Sequence, residues 1–168
     1  MTVKKYELIP DDTVRSWDGR TLFRIRALVA IAAFGVAVGE VGGYVESEAH
    51  LSQSGNAWVS GNARVYGNAR VYGDALVSGN AWVSGNAWVY GDARVYGNAH
   101  YITISPIGGE AGCLTAWVQK DGSIRFTRGC FYGTKAEFLA AVEKKHGKSS
   151  TARQYELCVA LVEERLKT

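Results

Sequence analysis

Residues 55–102 repeat one six-residue phrase eight times without interruption. It runs Gly-Asn-Ala-Trp-Val-Ser from Gly55, Gly-Asn-Ala-Arg-Val-Tyr from Gly61, and ends Gly-Asn-Ala-His-Tyr-Ile at Ile102. Every copy opens with Gly, continues with Asn or Asp and puts Ala third; the fifth residue is Val in seven copies and Tyr in the last. A period of six is not the 3.6 of a helix. It suits a short strand followed by a corner, said again and again.

The chemistry within the phrase supports that division. In Ala-x-Val-x the side chains alternate, so Ala and Val face one way and the x residues the other. Gly followed by Asn or Asp is corner chemistry, both types being tolerant of positive φ. Three strands and three corners make one coil of eighteen residues, and successive coils bond as a parallel sheet. This is a parallel β-helix of hexapeptide repeats, with a narrow interior built from Val59, Val65, Val71, Val77, Val83, Val89, Val95 and the alanines between them. Tyr101 is too large for that column and is read as its stop.

Residues eighteen apart then stack. One outer column holds Trp58, Leu76 and Arg94, the next Arg64, Trp82 and His100, and the third Arg70 and Trp88. The corner aspartates Asp74 and Asp92 also fall in one column, where they are either solvated or bridged by a cation.

The flanks have their own grammar. Residues 4–9 read as a short strand, followed by a hairpin of Val14–Trp17 and Thr21–Leu28 around Asp18-Gly19. This unit is expected to cap the first coil and cover its edge. Residues 28–40 fit either a short buried helix or an irregular apolar stretch. From Val41 the hexad appears in degraded form, with Gln53 and Ser54 breaking register before the regular run. Past Ile102 a hairpin of Cys113–Gln119 and Ser123–Thr127 precedes two capping boxes. Thr134 and Glu137 open a helix ended by His146-Gly147; Thr151 and Gln154 open a helix to about Lys167. Phe138, Val142, Tyr155, Cys158, Leu161 and Val162 are spaced to pack on the hairpin. The fold class is therefore mainly β: a β-hairpin cap over residues 1–40, a β-helix over 41–102, and a small α+β domain over 103–168.

Charge and cysteine content narrow the functional classes. The net charge is +3, and residues 103–168 carry ten basic and seven acidic side chains. That suits an anionic partner but falls short of a nucleic-acid stripe. Three widely spaced cysteines offer neither a disulfide framework nor a metal motif. No leader pattern opens the chain, and its longest apolar run, 27–39, is too short to span a bilayer. The expected location is a reducing cytoplasm, away from the membrane.

The hexads resemble the left-handed β-helix proteins of the hexapeptide-repeat class. The run Gly42-Gly43-Tyr44-Val45-Glu46-Ser47 with Leu51-Ser52-Gln53, and the tail with Ile104-Ser-Pro-Ile-Gly and Gly129-Cys-Phe-x-Gly-Thr134, are similar to uncharacterised proteins of enterobacteria and their phages. The resemblance implies a left-handed coil, a homotrimer and a phage or prophage setting, with no activity attached.

Hexapeptide acyltransferases share the coil and use a helix-borne histidine as general base beside an acyl-CoA. Only His50 and His100 sit at outward x positions, and no loop interrupts residues 55–102 to close a site. His100 is the catalytic candidate for that reading. Three histidines converging on zinc, as in a γ-carbonic anhydrase, are not expected from His50, His100 and His146. Cys130 reads as a small buried thiol. No cofactor is expected. Arg64, Arg70 and Arg94 alternating with Trp82 and Trp88, with His100 in the same outer columns, fit stacking on a flat group while pairing with an anion, or a subunit interface. The reading is a non-enzymatic trimer that captures an anionic small molecule, such as a host signalling nucleotide, in clefts between subunits. A trimeric adaptor gripping a host protein is the competing reading.

Overall fold

In the computed structural model the described residues are 3–167, and they form two compact units that meet in sequence between Asn98 and Ala99. In the first unit strand β1 (Tyr6–Arg15) pairs antiparallel with β2 (Thr21–Ala27), and β2 pairs antiparallel with β3 (Val41–Val45). The two segments read separately as 4–9 and 14–17 are thus one strand. A register shift between Ile9 and Thr13 accommodates the proline and two aspartates, so the pairing resumes instead of ending. Residues 28–40 are irregular, with one 3-10 turn at Ala32–Phe34 and a bridge from Ile31 to Val36.

The hexads follow as seven two-residue strands. These are β4 (Trp58–Val59), β5 (Arg64–Val65), β6 (Arg70–Val71), β7 (Leu76–Val77), β8 (Trp82–Val83), β9 (Trp88–Val89) and β10 (Arg94–Val95). They sort into three parallel stacks: β3-β5-β8, β4-β7-β10 and β6-β9. Arg64 pairs with Trp82, Arg70 with Trp88, and Trp58 with Leu76 and then Arg94, each step being eighteen residues. The valines at the fifth position, from Val59 to Val95, are at most 1% exposed, as are the alanines beside them. Burying each valine is worth about 1.5–3 kcal/mol, realised only where rungs stack.

Corner geometry differs from the expectation in one respect. Glycine alone takes the left-handed conformation, from Gly55 to Gly91, while the following Asn or Asp does not. The polar residue instead ladders along the stack: the Asn56 amide donates to Asp74 Oδ1 at 2.8 Å and that of Asn68 to Asn86 Oδ1 at 3.1 Å.

The register break has a structural use. Tyr44 pairs with Arg64 and Leu51 bridges to Val71, both steps of twenty, so Gln53 and Ser54 lengthen the first coil by two residues. Gln53 spends its amide on β1: Oε1 accepts from the backbone N–H of Lys5 at 2.8 Å and Tyr6 at 3.3 Å, and Nε2 donates to the Tyr6 carbonyl at 3.2 Å. The Lys5 ammonium donates to the Ala57 carbonyl at 2.6 Å, and the Tyr6 hydroxyl to the Leu51 carbonyl at 2.7 Å. Gly42 lets β3 approach closely, since a Cβ there would overlap the Val59 carbonyl, Ile25 and the Trp58 ring.

The eighth hexad departs from the repeat. No rung forms after Val95, and Gly97 lacks the corner conformation of its predecessors. The Trp82 N–H takes Asn98 Oδ1 at 2.7 Å, whereas Arg64 N–H one coil earlier bonds the Ala81 carbonyl. Tyr101 is therefore not an inward stop: it opens β11 (Tyr101–Ile107) of the second unit, opposite Trp117. A tyrosine in place of valine does not fit a column of Val and Ala, and the chain leaves before presenting it.

In the second unit β11, β12 (Gly112–Val118), β13 (Ile124–Arg128) and β14 (Phe131–Gly133) form an antiparallel meander. Helices α1 (Lys135–His146) and α2 (Ser150–Arg165) cover one face. Leu114, Ala116, Val118 and Phe126 meet Phe138, Val142, Tyr155, Cys158, Val159 and Val162 in one apolar core. Thr134 and Glu137 form the expected capping box. Helix α2 starts earlier than Thr151, because Ser149 is extended and its side chain accepts from the Ala152 N–H. Leu161 is half exposed, lying off the stripe set by Tyr155, Cys158, Val159 and Val162.

Candidate functional site

The outward arginines and tryptophans lie on different faces of the first unit. On one, the Arg64 guanidinium sits 5.0 Å from the Trp82 ring centroid and donates to the Arg15 carbonyl at 3.1 Å. Its Nε is buried and finds no acceptor among the described residues. On the next, Arg70 and Trp88 are register neighbours and both are exposed, Trp88 to 45%. Arg70 donates to the Ala49 carbonyl at 2.6 Å. Trp88 meets the edge of Tyr72, and Tyr72 stacks on Tyr90 with centroids 4.7 Å apart. Burial, with Tyr90 adding a smaller contribution, pushes the Tyr72 hydroxyl up to about 12.

On the third face Arg94 donates to the Asp74 carbonyl at 2.8 Å and lies 4.9 Å from the Phe34 ring centroid. Trp58, in the same stack, is fully buried with its ring edge-on to Tyr6, which removes it from the outer surface. Each arginine thus spends one nitrogen on a backbone carbonyl and has further N–H groups for other acceptors.

His100 belongs to the second unit, where its carbonyl accepts from Val118, and it does not continue the Arg64–Trp82 stack. His50 is buried, not outward. Its Nε2 lies 2.8 Å from the Gly67 carbonyl and its Nδ1 3.0 Å from the Ser47 hydroxyl, so both ring nitrogens serve the first coil. Asp74 accepts the Asn56 amide and Asp92 is exposed. No group of three or more His, Cys, Asp or Glu side chains among the described residues is placed to hold a metal.

All three cysteines are free, and burial pushes the Cys113 and Cys158 thiols up, away from thiolate reactivity. Cys130 is exposed, contrary to the expectation of burial. Arg128 pairs with Phe131, so Gly129 and Cys130 are the two tip residues of a tight hairpin.

A constellation that sequence reasoning missed lies wholly within the second unit. A cavity of about 450 Å³ opens between the β13–β14 turn and the helices, lined by Phe131, Phe138 and Val142 with the exposed Ala141 beside them. Glu110, Arg128, Lys145, His146 and Tyr155 also line it. These residues come from five elements and share no short motif. The capping-box helix and the loop glycines, Gly108 and Gly112, were the available signals.

The stacked hexads define the chain's repeats as those of a β-solenoid. They are similar to the family described as YdcK beta solenoid repeat, whose model matches at residues 57–73, 63–79, 69–85, 77–91 and 87–100. Comparison with curated proteins finds none that matches. No helix among the described residues is long and apolar enough to cross a membrane.

Proposed function

We propose that this protein is a non-enzymatic homotrimer of left-handed β-solenoids that captures an anionic small molecule in clefts between subunits. In this reading the coil closes left-handed, the β1–β2 hairpin caps its first turn, and the setting is a phage or prophage one. The observation that carries it is the placement of an arginine against a tryptophan one coil on, as Arg64 with Trp82 and Arg70 with Trp88. A flat group stacks on such an indole while the neighbouring guanidinium pairs with a phosphate or carboxylate. The faces are separate in one chain, so a second subunit is needed to set Arg70 and Trp88 opposite another wall. Exposed Trp88 and Tyr96 are the aromatic type that subunit contacts bury.

Isothermal titration with cyclic and linear nucleotides, beside acetyl-CoA, tests the reading. Saturable heat with a nucleotide is expected, weakened about tenfold or more by Arg70→Ala, the loss of one charged hydrogen bond. His100→Ala is expected to leave it unchanged. Saturable acetyl-CoA binding with transfer to a sugar or amine would overturn it in favour of an acyltransferase. Heat with neither panel would favour a protein partner.

A further inference from the structure

The cavity of the second unit combines an apolar lining with an unusual arrangement of charge. Arg128, at the end of β13, is largely buried, with a side-chain exposure of 16%. Its Nε donates to the Tyr155 hydroxyl at 3.1 Å and its Nη2 to the Ile107 carbonyl at 3.4 Å, which fixes the guanidinium plane. Lys145 reaches the same place from the last turn of α1. Between the two cations stands one carboxylate, Glu110. Its Oε2 is 3.7 Å from Arg128 Nη2 and its Oε1 3.4 Å from Lys145 Nζ, and its side chain is 70% exposed.

Both contacts are long for a charge-assisted hydrogen bond. Glu110 lies in the turn between β11 and β12, in a loop that Gly108 and Gly112 bring down onto Tyr155 and Arg128: a Cβ at either position would overlap those side chains. The carboxylate therefore occupies an anion position that it holds weakly. The Phe131 and Phe138 rings, edge to face at 5.3 Å, line the same cavity with Val142 and the exposed Ala141. A volume of about 450 Å³ is in the range of small-molecule pockets.

We propose that this cavity binds a small organic anion, its flat apolar body against Phe131 and Phe138 and its carboxylate, sulfonate or phosphate displacing Glu110 between Arg128 and Lys145. The site is complete in one chain and is independent of the solenoid clefts. Glu110 is a competing internal anion that sets a threshold for entry. A neutral body of the same shape gains the apolar lining but not the cations.

The test uses the full chain and two fluorescent probes of one skeleton, 8-anilinonaphthalene-1-sulfonate and uncharged N-phenyl-1-naphthylamine. The sulfonate probe is expected to saturate one site per chain, more tightly than the neutral probe. Glu110→Gln should tighten the sulfonate probe about fivefold and Lys145→Ala weaken it about fivefold, the scale of one exposed charge contact. Both should leave the neutral probe unchanged. Ala141→Trp, on the exposed side of α1, should fill the cavity and abolish binding of both. A variant that loosens the fold raises the signal of both probes together, so the difference between them reports the site. Equal affinity for the two probes, no gain from Glu110→Gln, or a sulfonate affinity unaffected by Ala141→Trp would each overturn the proposal.

Discussion

At the scale of single residues, the coil depends on which corners are crowded. Gly79 and Gly85 share a left-handed backbone, with φ of 63° and 65°. A side chain at Gly85 would meet nothing within 4 Å, whereas a Cβ at Gly79 would overlap the Tyr96 carbonyl. The first substitution costs only backbone strain, about 1 kcal/mol; the second adds a clash with fixed backbone and should cost about 3 kcal/mol or more. Denaturant melts of Gly85→Ala and Gly79→Ala are expected to differ accordingly. Equal losses would mean that the coil above Gly79 is not where the register places it. Glycine at these corners could be read from the hexad, but the difference between two identical Gly-Asn pairs could not. It depends on what lies one coil away.

At the scale of elements, the docking of β1 on the lengthened first coil makes stability depend on pH. Burial lowers Lys5 to about 8, below its usual value, and raises the Tyr6 hydroxyl through burial first and the nearby Glu48 second. Between about pH 8 and 10 the unfolded chain holds the lysine proton more firmly than the folded one, so raising the pH favours folding. Above pH 10 the unfolded tyrosine ionises and the folded one resists, so stability falls again. The melting temperature is expected to rise from pH 8 to 10 and then decline, with Lys5→Met flattening the rise. A monotonic fall from pH 8 in the native protein would contradict this placement of Lys5. Gln53 and Ser54 were visible in the sequence only as a flaw in a period. That the flaw anchors a strand forty-seven residues away, through Gln53 and Tyr6, is a tertiary fact with no local signal. The capping box at Thr134 was legible because both partners lie within one helical turn. The helix start at Ser149 was not, since the extended backbone that follows Gly147 decides it.

At the scale of the whole molecule, the period of six, taken with three hexads to a coil, was enough to place every rung from Trp58 to Val95, since steps of eighteen set valine on valine throughout. It failed at the eighth copy, where Tyr101 and His100 follow the phrase in sequence but join the second unit. The hydrogen bond of Asn98 to Trp82, where the last rungs end, lies within the first unit. A fragment of residues 1–98 should therefore fold with a β-rich circular-dichroism spectrum and a cooperative melt; a disordered spectrum would contradict the division into two units. The most direct test of the trimeric account is the mass in solution by light scattering at micromolar concentration. The account predicts three times the 18.2 kDa chain for the native protein, and a lower mass for Trp88→Glu, which replaces the exposed indole with a carboxylate. A native mass of one chain would contradict it.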